Sequence, residues 1–171
     1  MKVAVTGADG FVGRHVVDAL QRRGDEVITI SRSTKVDDFR HAVLQADAIV
    51  HLAGANRPKE EREFSEVNRD LAVQMVEWLM STDRRPPIVF SSSTQAEIDN
   101  AYGRSKREGE EVLEDYVDDH GGRATIFRFP NIFGKGSKPF YNTVVATFCH
   151  NVARGQTNQV SDPELEITFV Y

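Results

Sequence analysis

The sequence has 171 residues, 40% hydrophobic and 27% charged, with 21 Lys and Arg against 26 Asp and Glu for a formal net charge of −5. That length gives one domain a real core and is short for two, and the acidic balance argues against broad nucleic-acid binding, which needs clustered Lys and Arg. A single cysteine, Cys149, excludes an internal disulfide framework, and the five scattered His offer no metal-ligand spacing. No apolar run approaches the roughly 20 residues that span a bilayer. The N-terminal MKVAVTG enters a strand pattern with no signal-peptide core. The expectation is a cytoplasmic protein with neither membrane nor nucleic-acid partner.

In chain order, strand and helix alternate. Lys2–Thr6 is a β-prone run ending in glycines. Phe11, Val12, Val16, Ala19 and Leu20 recur at helical spacing to about Arg23, where Gly24 stops the helix. Val27–Ile30 is a second strand, Asp37–Gln45 a short helix and Ala48–Leu52 a third strand closed by Gly54. Phe64, Val67, Leu71, Met75, Trp78 and Leu79 lie along one helical face. Pro86-Pro87 ends that region before a fourth strand at Ile88–Phe90. A helix from about Ala101 to Asp119 is broken by Gly121-Gly122, and Ala124–Phe127 is a fifth strand. Pro130–Asn142 reads as a loop, and Thr143–Ala153 as a further helix.

Short, wholly apolar strands between helices predict a parallel sheet covered on both faces, an α/β doubly wound (Rossmann) fold. Residues 1–135 are the expected dinucleotide-binding domain, and 136–171 the start of a second lobe. The chain ends within an apolar, β-prone run, Glu166–Tyr171, so we expect a piece of a longer protein.

After the first strand comes Thr6-Gly7-Ala8-Asp9-Gly10-Phe11-Val12-Gly13. Gly7 permits the sharp turn, Gly10 lets a pyrophosphate approach the backbone, and Gly13 lets the helix pack closely. The helix N-terminus then offers free N–H groups to phosphates. A glycine triplet following a strand and opening a helix is the context that gives the motif meaning. Gly7, Asp9, Gly10, Phe11, Val12 and Gly13 are therefore candidate cofactor contacts. With its G-x-x-G-x-x-G spacing, the turn resembles that of the short-chain dehydrogenase/reductase superfamily, in its extended branch of sugar-nucleotide epimerases, dehydratases and reductases.

In NAD-binding proteins of this fold an acidic residue usually ends the second strand. Here the strand runs into Ile30-Ser31-Arg32-Ser33. A guanidinium suits a 2′-phosphate, so NADP(H) is the expected cofactor, with Arg32 and Ser31 as contacts; the alternative is a solvated surface Arg. The resemblance also implies cofactor contacts at Leu52-Ala53-Gly54, Asn68 and Pro130.

Tyr102-Gly103-Arg104-Ser105-Lys106 sets a Tyr and a Lys one turn apart on one helical face. A nearby ammonium and an oxidised nicotinamide would pull the phenol down from its ordinary value near 10, making a tuned general acid/base. The fourth strand leads into Ser91-Ser92-Ser93-Thr94, and the resemblance favours Ser93 as the hydroxyl that polarises a carbonyl, with Ser92 or Thr94 as alternatives. Gln95-Ala96 stands where the dehydratases of the family carry Asp-Glu, which argues against dehydration. The short link Ile98-Asp99-Asn100 is similar to that of capsular-polysaccharide reductases acting on 4-keto-6-deoxy-N-acetyl sugar nucleotides.

That likeness implies substrate contacts at Asn131, Lys138 and Asn142. It also implies a homodimer through the helices bearing Phe64 and Tyr102. The charge runs Glu60–Glu63 and Lys106–Glu111 read as solvated helix faces. The expected activity is NADPH-dependent reduction of a keto sugar nucleotide. An epimerase retaining NAD and a non-catalytic NADP(H) sensor are the alternatives.

Overall fold

The computed structural model describes residues 1–171. The chain divides into two units, Met1–Arg128 and Phe129–Tyr171. The first begins with β1 (Lys2–Thr6), α1 (Phe11–Arg22), β2 (Glu26–Ile30), α2 (Val36–Gln45) and β3 (Ala48–His51). It continues with α3 (Arg62–Asn68), α4 (Asp70–Met80), β4 (Ile88–Ser93), a 3-10 turn (Thr94–Glu97), α5 (Ala101–Asp118) and β5 (Ala124–Phe129), whose last residue falls in the second unit. The sheet order is β2-β1-β3-β4-β5. β1 pairs in parallel with both β2 and β3, and β3 with β4, as a Rossmann-type α/β fold requires.

Alternation along the strands sorts the core into two layers. Ile28, Ala4, Ile49 and Ile88 stand in register across four strands and face one side. There they pack with Phe39 and Val43 of α2, Met75 and Leu79 of α4, and Leu113 and Tyr116 of α5. Val3 and Val5, one residue out of phase, face the other side with Val16, Val17 and Leu20 of α1. The inner strands are buried on both faces, whereas the outer strands β2 and β5 are only partly covered, because each lacks a neighbour on one side.

Four local features differ from the sequence reading. The apolar stripe from Phe64 to Leu79 is two helices, broken at Arg69 (φ −107°, ψ −57°), where the completely buried Asn68 makes its hydrogen bonds to other elements. β4 runs on through the serines to Ser93, because their backbones stay extended before the 3-10 turn. In the second unit, part of the expected loop is strand: β6 (Asn131–Ile132) pairs in parallel with β7 (Phe169–Val170), two segments too short to read from composition. The helix there is α6 (Val144–Val152), capped by the Thr143 hydroxyl on the Ala146 N–H at 3.4 Å. The terminal apolar run is exposed apart from its short pairing with β6. No helix is long and apolar enough to cross a membrane.

Tyr116 closes the far end of the core, fully buried, with its hydroxyl donating to Pro86 O at 3.2 Å. Tyr116→Phe leaves that carbonyl unpaired, and urea denaturation should register a loss of about 1–2 kcal/mol.

Candidate active site

β1 and β3 are the strands at which the sheet order reverses, and in open α/β sheets the crevice beyond that point takes the ligand. The glycine turn leaves β1 here. Gly7 has φ +64°, and a Cβ on it would lie 2.8 Å from Ala53 N, so the turn sits directly on the loop after β3. A Cβ on Gly13 would lie 2.0 Å from Gly7 O, so only glycine lets α1 start where it does. Gly10 caps α1 without a side-chain hydrogen bond, and the first turn of the helix carries no acidic residue. The amides of Phe11, Val12 and Gly13 thus lie at an open, positive helix end, which suits a diphosphate. Asp9, beside them, is exposed.

The end of β2 is tied to this turn by Ala8 N donating to Ile30 O at 3.3 Å. Ser31 to Thr34 then form a turn closed by Thr34 N on Ser31 O at 3.1 Å, with the Ser31 and Ser33 hydroxyls 3.0 Å apart. Arg32 projects from it, exposed and in no ion pair.

A buried row crosses the sheet in register behind the turn: Thr6, His51 and Phe90. The Thr6 hydroxyl oxygen accepts from Leu52 N and Ala53 N, both at 3.1 Å. Its two lone pairs are spent, so its hydrogen goes to His51 Nδ1, 2.7 Å away. That places the His51 proton on Nε2, which is buried without a partner. Burial, and secondarily the Lys106 ammonium, push His51 down to about 3, so the ring is neutral. It stacks on Phe90 with centroids 5.5 Å apart.

Lys106 lies over the other end of this row. It is 4% exposed, donates to Ser91 O at 3.0 Å and stands 5.3 Å from the Phe90 ring centre. A Cβ on Gly54 would come within 3.0 Å of its Nζ and 3.1 Å of Asn68 Oδ1, so the glycine turn, the β3 loop and α5 converge on one place. Asn68 spends its amide inside the protein. It exchanges two hydrogen bonds with the backbone of Ala55, both at 2.9 Å, and donates to Ser105 Oγ at 2.9 Å. Asn68 thereby clips the β3 loop to α5.

Tyr102, one turn before Lys106, is half-buried beside Phe64 of α3, with ring centres 5.8 Å apart. Its phenol faces Ser93, whose own oxygen caps the 3-10 turn through Gln95 N at 3.2 Å. Ser92 faces elsewhere, toward Glu110, and Thr94 opens the 3-10 turn. Burial pushes the Tyr102 phenol above its ordinary value, and the Ser93 hydrogen bond pulls it partway back. Lys106 does not contribute the expected downward pull to that shift. Such a phenol keeps its proton at neutral pH and can donate it.

Glu110 overturns the reading of its charge run as a solvated face. It is 2% exposed, with its carboxylate held by Ser92 and Arg128. Its partners lie 18 residues away on either side, so no local pattern announces the pairing. The Y-x-x-x-K spacing carried on to Glu110 was the available signal.

The expected cofactor contact Pro130 and the expected substrate contacts belong to the second unit. Pro130 is half-buried, and the exposed Asn131 donates through its amide to Thr168 O at 3.5 Å. Lys138 Nζ stands 5.7 Å from the Tyr141 ring centre, and Asn142 is exposed.

The chain matches the NAD dependent epimerase/dehydratase family over residues 3–168 and belongs to it. Among its relatives, a UDP-2-acetamido-2,6-beta-L-arabino-hexul-4-ose reductase of Pseudomonas aeruginosa is 46% identical over an alignment covering 100% of this chain and 46% of that protein. The capsular polysaccharide assembling protein CapF of Staphylococcus aureus superposes with a TM-score of 0.88 at 42% identity, over 100% of this chain and 47% of that one. This chain thus spans about half the length of either. A UDP-glucose 4-epimerase of Thermotoga maritima, TM-score 0.85 at 23% identity over 100% of this chain and 69% of its own, shares the fold.

The buried ammonium has a measurable cost. Burial lowers Lys106 to about 8 from 10.5, partly offset by Glu110. Between those values the unfolded chain binds more protons than the native one, so stability rises with pH across that window. Below it the full cost applies, about 3 kcal/mol. Lys106→Met should therefore gain stability relative to the unaltered protein at neutral pH and lose that advantage by pH 10.5. Urea denaturation at both pH values reads this, and a pH-independent difference would contradict it.

Proposed function

We propose that this chain carries the cofactor site and proton donor of an NADPH-dependent reductase of a keto sugar nucleotide, a UDP-linked 4-keto-6-deoxy-N-acetylhexosamine. The observation that supports this most is the Ser93–Tyr102 hydroxyl pair with Lys106 one turn along, beyond the strand ends where the glycine turn opens. Identity to a reductase of a UDP-linked hexul-4-ose supports the substrate class.

When bound, the cofactor supplies a hydride to the carbonyl carbon. The first-turn amides of α1 would hold its diphosphate, and Arg32 with the Ser31 and Ser33 hydroxyls would take the 2′-phosphate. Ser93 donates a hydrogen bond to the carbonyl oxygen. Tyr102 gives that oxygen the proton that completes the alcohol, and its burial keeps the proton in place until then. Lys106, buried one turn along from Tyr102, would orient the cofactor ribose. Asn131, Lys138 and Asn142 are assigned to the sugar nucleotide. The absence of an Asp-Glu pair at Gln95-Ala96 favours reduction over elimination.

Tyr102→Phe should abolish NADPH oxidation by the sugar nucleotide while fluorescence titration still detects NADPH binding; turnover near that of the unaltered protein would remove Tyr102 from the role. Arg32→Ala should weaken NADPH at least about tenfold and leave NADH little changed, as loss of a charge-assisted pair predicts. Undiminished NADPH affinity would reassign Arg32 to the solvent.

A further inference from the structure

Tyr102, Lys106 and Glu110 are spaced four apart and so lie on successive turns of one face of α5. The first two belong to the proposed reaction centre. Glu110 lies about 6 Å beyond Lys106 and about 12 Å beyond Tyr102 along the helix axis and is as buried as the hydrophobic core around it. Its partners come from separate elements. From β4, Ser92 donates to Oε1. From β5, Arg128 Nε reaches Oε1 at 2.9 Å and Oε2 at 3.2 Å, while Nη2 reaches Oε2 at 2.5 Å. The remaining arm of the guanidinium, Nη1, donates to Glu97 of the 3-10 turn at 3.0 Å.

One guanidinium therefore binds both supports of the Ser93–Tyr102 pair. Ser93 is held from the neighbouring Ser92 and from the 3-10 turn that its own oxygen caps. Tyr102 is held through α5. A forked, two-oxygen contact fixes direction as well as distance. Packed apolar side chains would fill the same space at no loss of stability, so stability alone does not account for a buried carboxylate here.

We propose that Glu110, clasped by Arg128 and Ser92, is a positioning residue for proton donation: it sets the roll of α5 against the ends of β4 and β5 and thereby keeps Tyr102 against Ser93. This rests on the reductase reading for its catalytic consequence. The charged groups facing Glu110 are Arg128 from β5 and Lys106 and Arg107 on its own helix, with Glu97 reached through Arg128. Those facing Lys106 are Glu110 on the same helix and His51 from β3, which is neutral.

The test is Glu110→Gln in the full chain, which keeps the side-chain volume and an acceptor for Ser92 and removes the ion pair. kcat should fall about tenfold or more, as small displacements of a reacting group do, with NADPH affinity changed by less than about threefold. The alkaline limb of kcat should move to lower pH, because Glu110 supports the Lys106 ammonium. Adding Arg128→Gln removes the orphaned guanidinium; thermal stability should recover and kcat should not. An unchanged kcat, or a loss that returns with stability in the double variant, overturns the proposal. If the unaltered protein reduces no keto sugar nucleotide, the reductase reading fails and the clamp is judged without substrate. Side-chain ¹⁵N NMR of Lys106 should then titrate at lower pH in Glu110→Gln, and an unmoved titration overturns it.

Discussion

A lysine ammonium buried near the carboxyl ends of a parallel sheet constrains everything around it. Charge removed from water costs several kcal/mol unless its surroundings replace the lost solvation. Here Ser91 O, the face of Phe90 and the Glu110 carboxylate share that task. Each compensation fixes a larger element. The Ser91 contact sets how far α5 lies along β4. The Phe90 contact requires a ring in the row that His51 and Thr6 complete. The Glu110 contribution requires Arg128, since an unpaired carboxylate would repeat the problem one turn further on.

The same place joins the glycine turn, the β3 loop and α5. Thr6 ends the strand that leads into the glycine turn, and its hydroxyl holds the first two amides of the β3 loop. Asn68 holds the next part of that loop to α5. A displacement of the glycine turn is therefore felt at Gly54, and through Gly54 at Lys106. Two buried ionisable groups serve this arrangement in opposite protonation states: His51 is neutral, while Lys106 carries its charge at neutral pH. Tyr102, half-buried at the rim, keeps its proton because the phenolate would be the costlier species there.

Much of this was legible in the sequence because its causes are local. Strand alternation, the glycines of the first turn and the four-residue step from Tyr102 to Lys106 are each written within a dozen residues. The rest depends on long-range contacts. The break at Arg69 interrupts an unbroken apolar stripe and shows only where Asn68 turns out to be buried against Ala55 and Ser105. Glu110 sits in a run of charges whose other members are mostly at the surface, and only the β5 strand beside it reveals the partner. Tyr102 is raised rather than lowered because its burial, which long-range packing sets, outweighs the hydrogen bond from Ser93. The β6–β7 pair spans two residues on each strand, below what periodicity can register.

The proposed reaction reduces a carbonyl, with net consumption of NADPH and a proton from Tyr102. The decisive experiment supplies the protein with NADPH carrying deuterium at the transferable position, together with a UDP-4-keto-6-deoxy-N-acetylhexosamine, and follows the sugar product by NMR. Deuterium is expected on the former carbonyl carbon, matched mole for mole by NADP⁺. A sugar epimerised without deuterium and without loss of NADPH would contradict it.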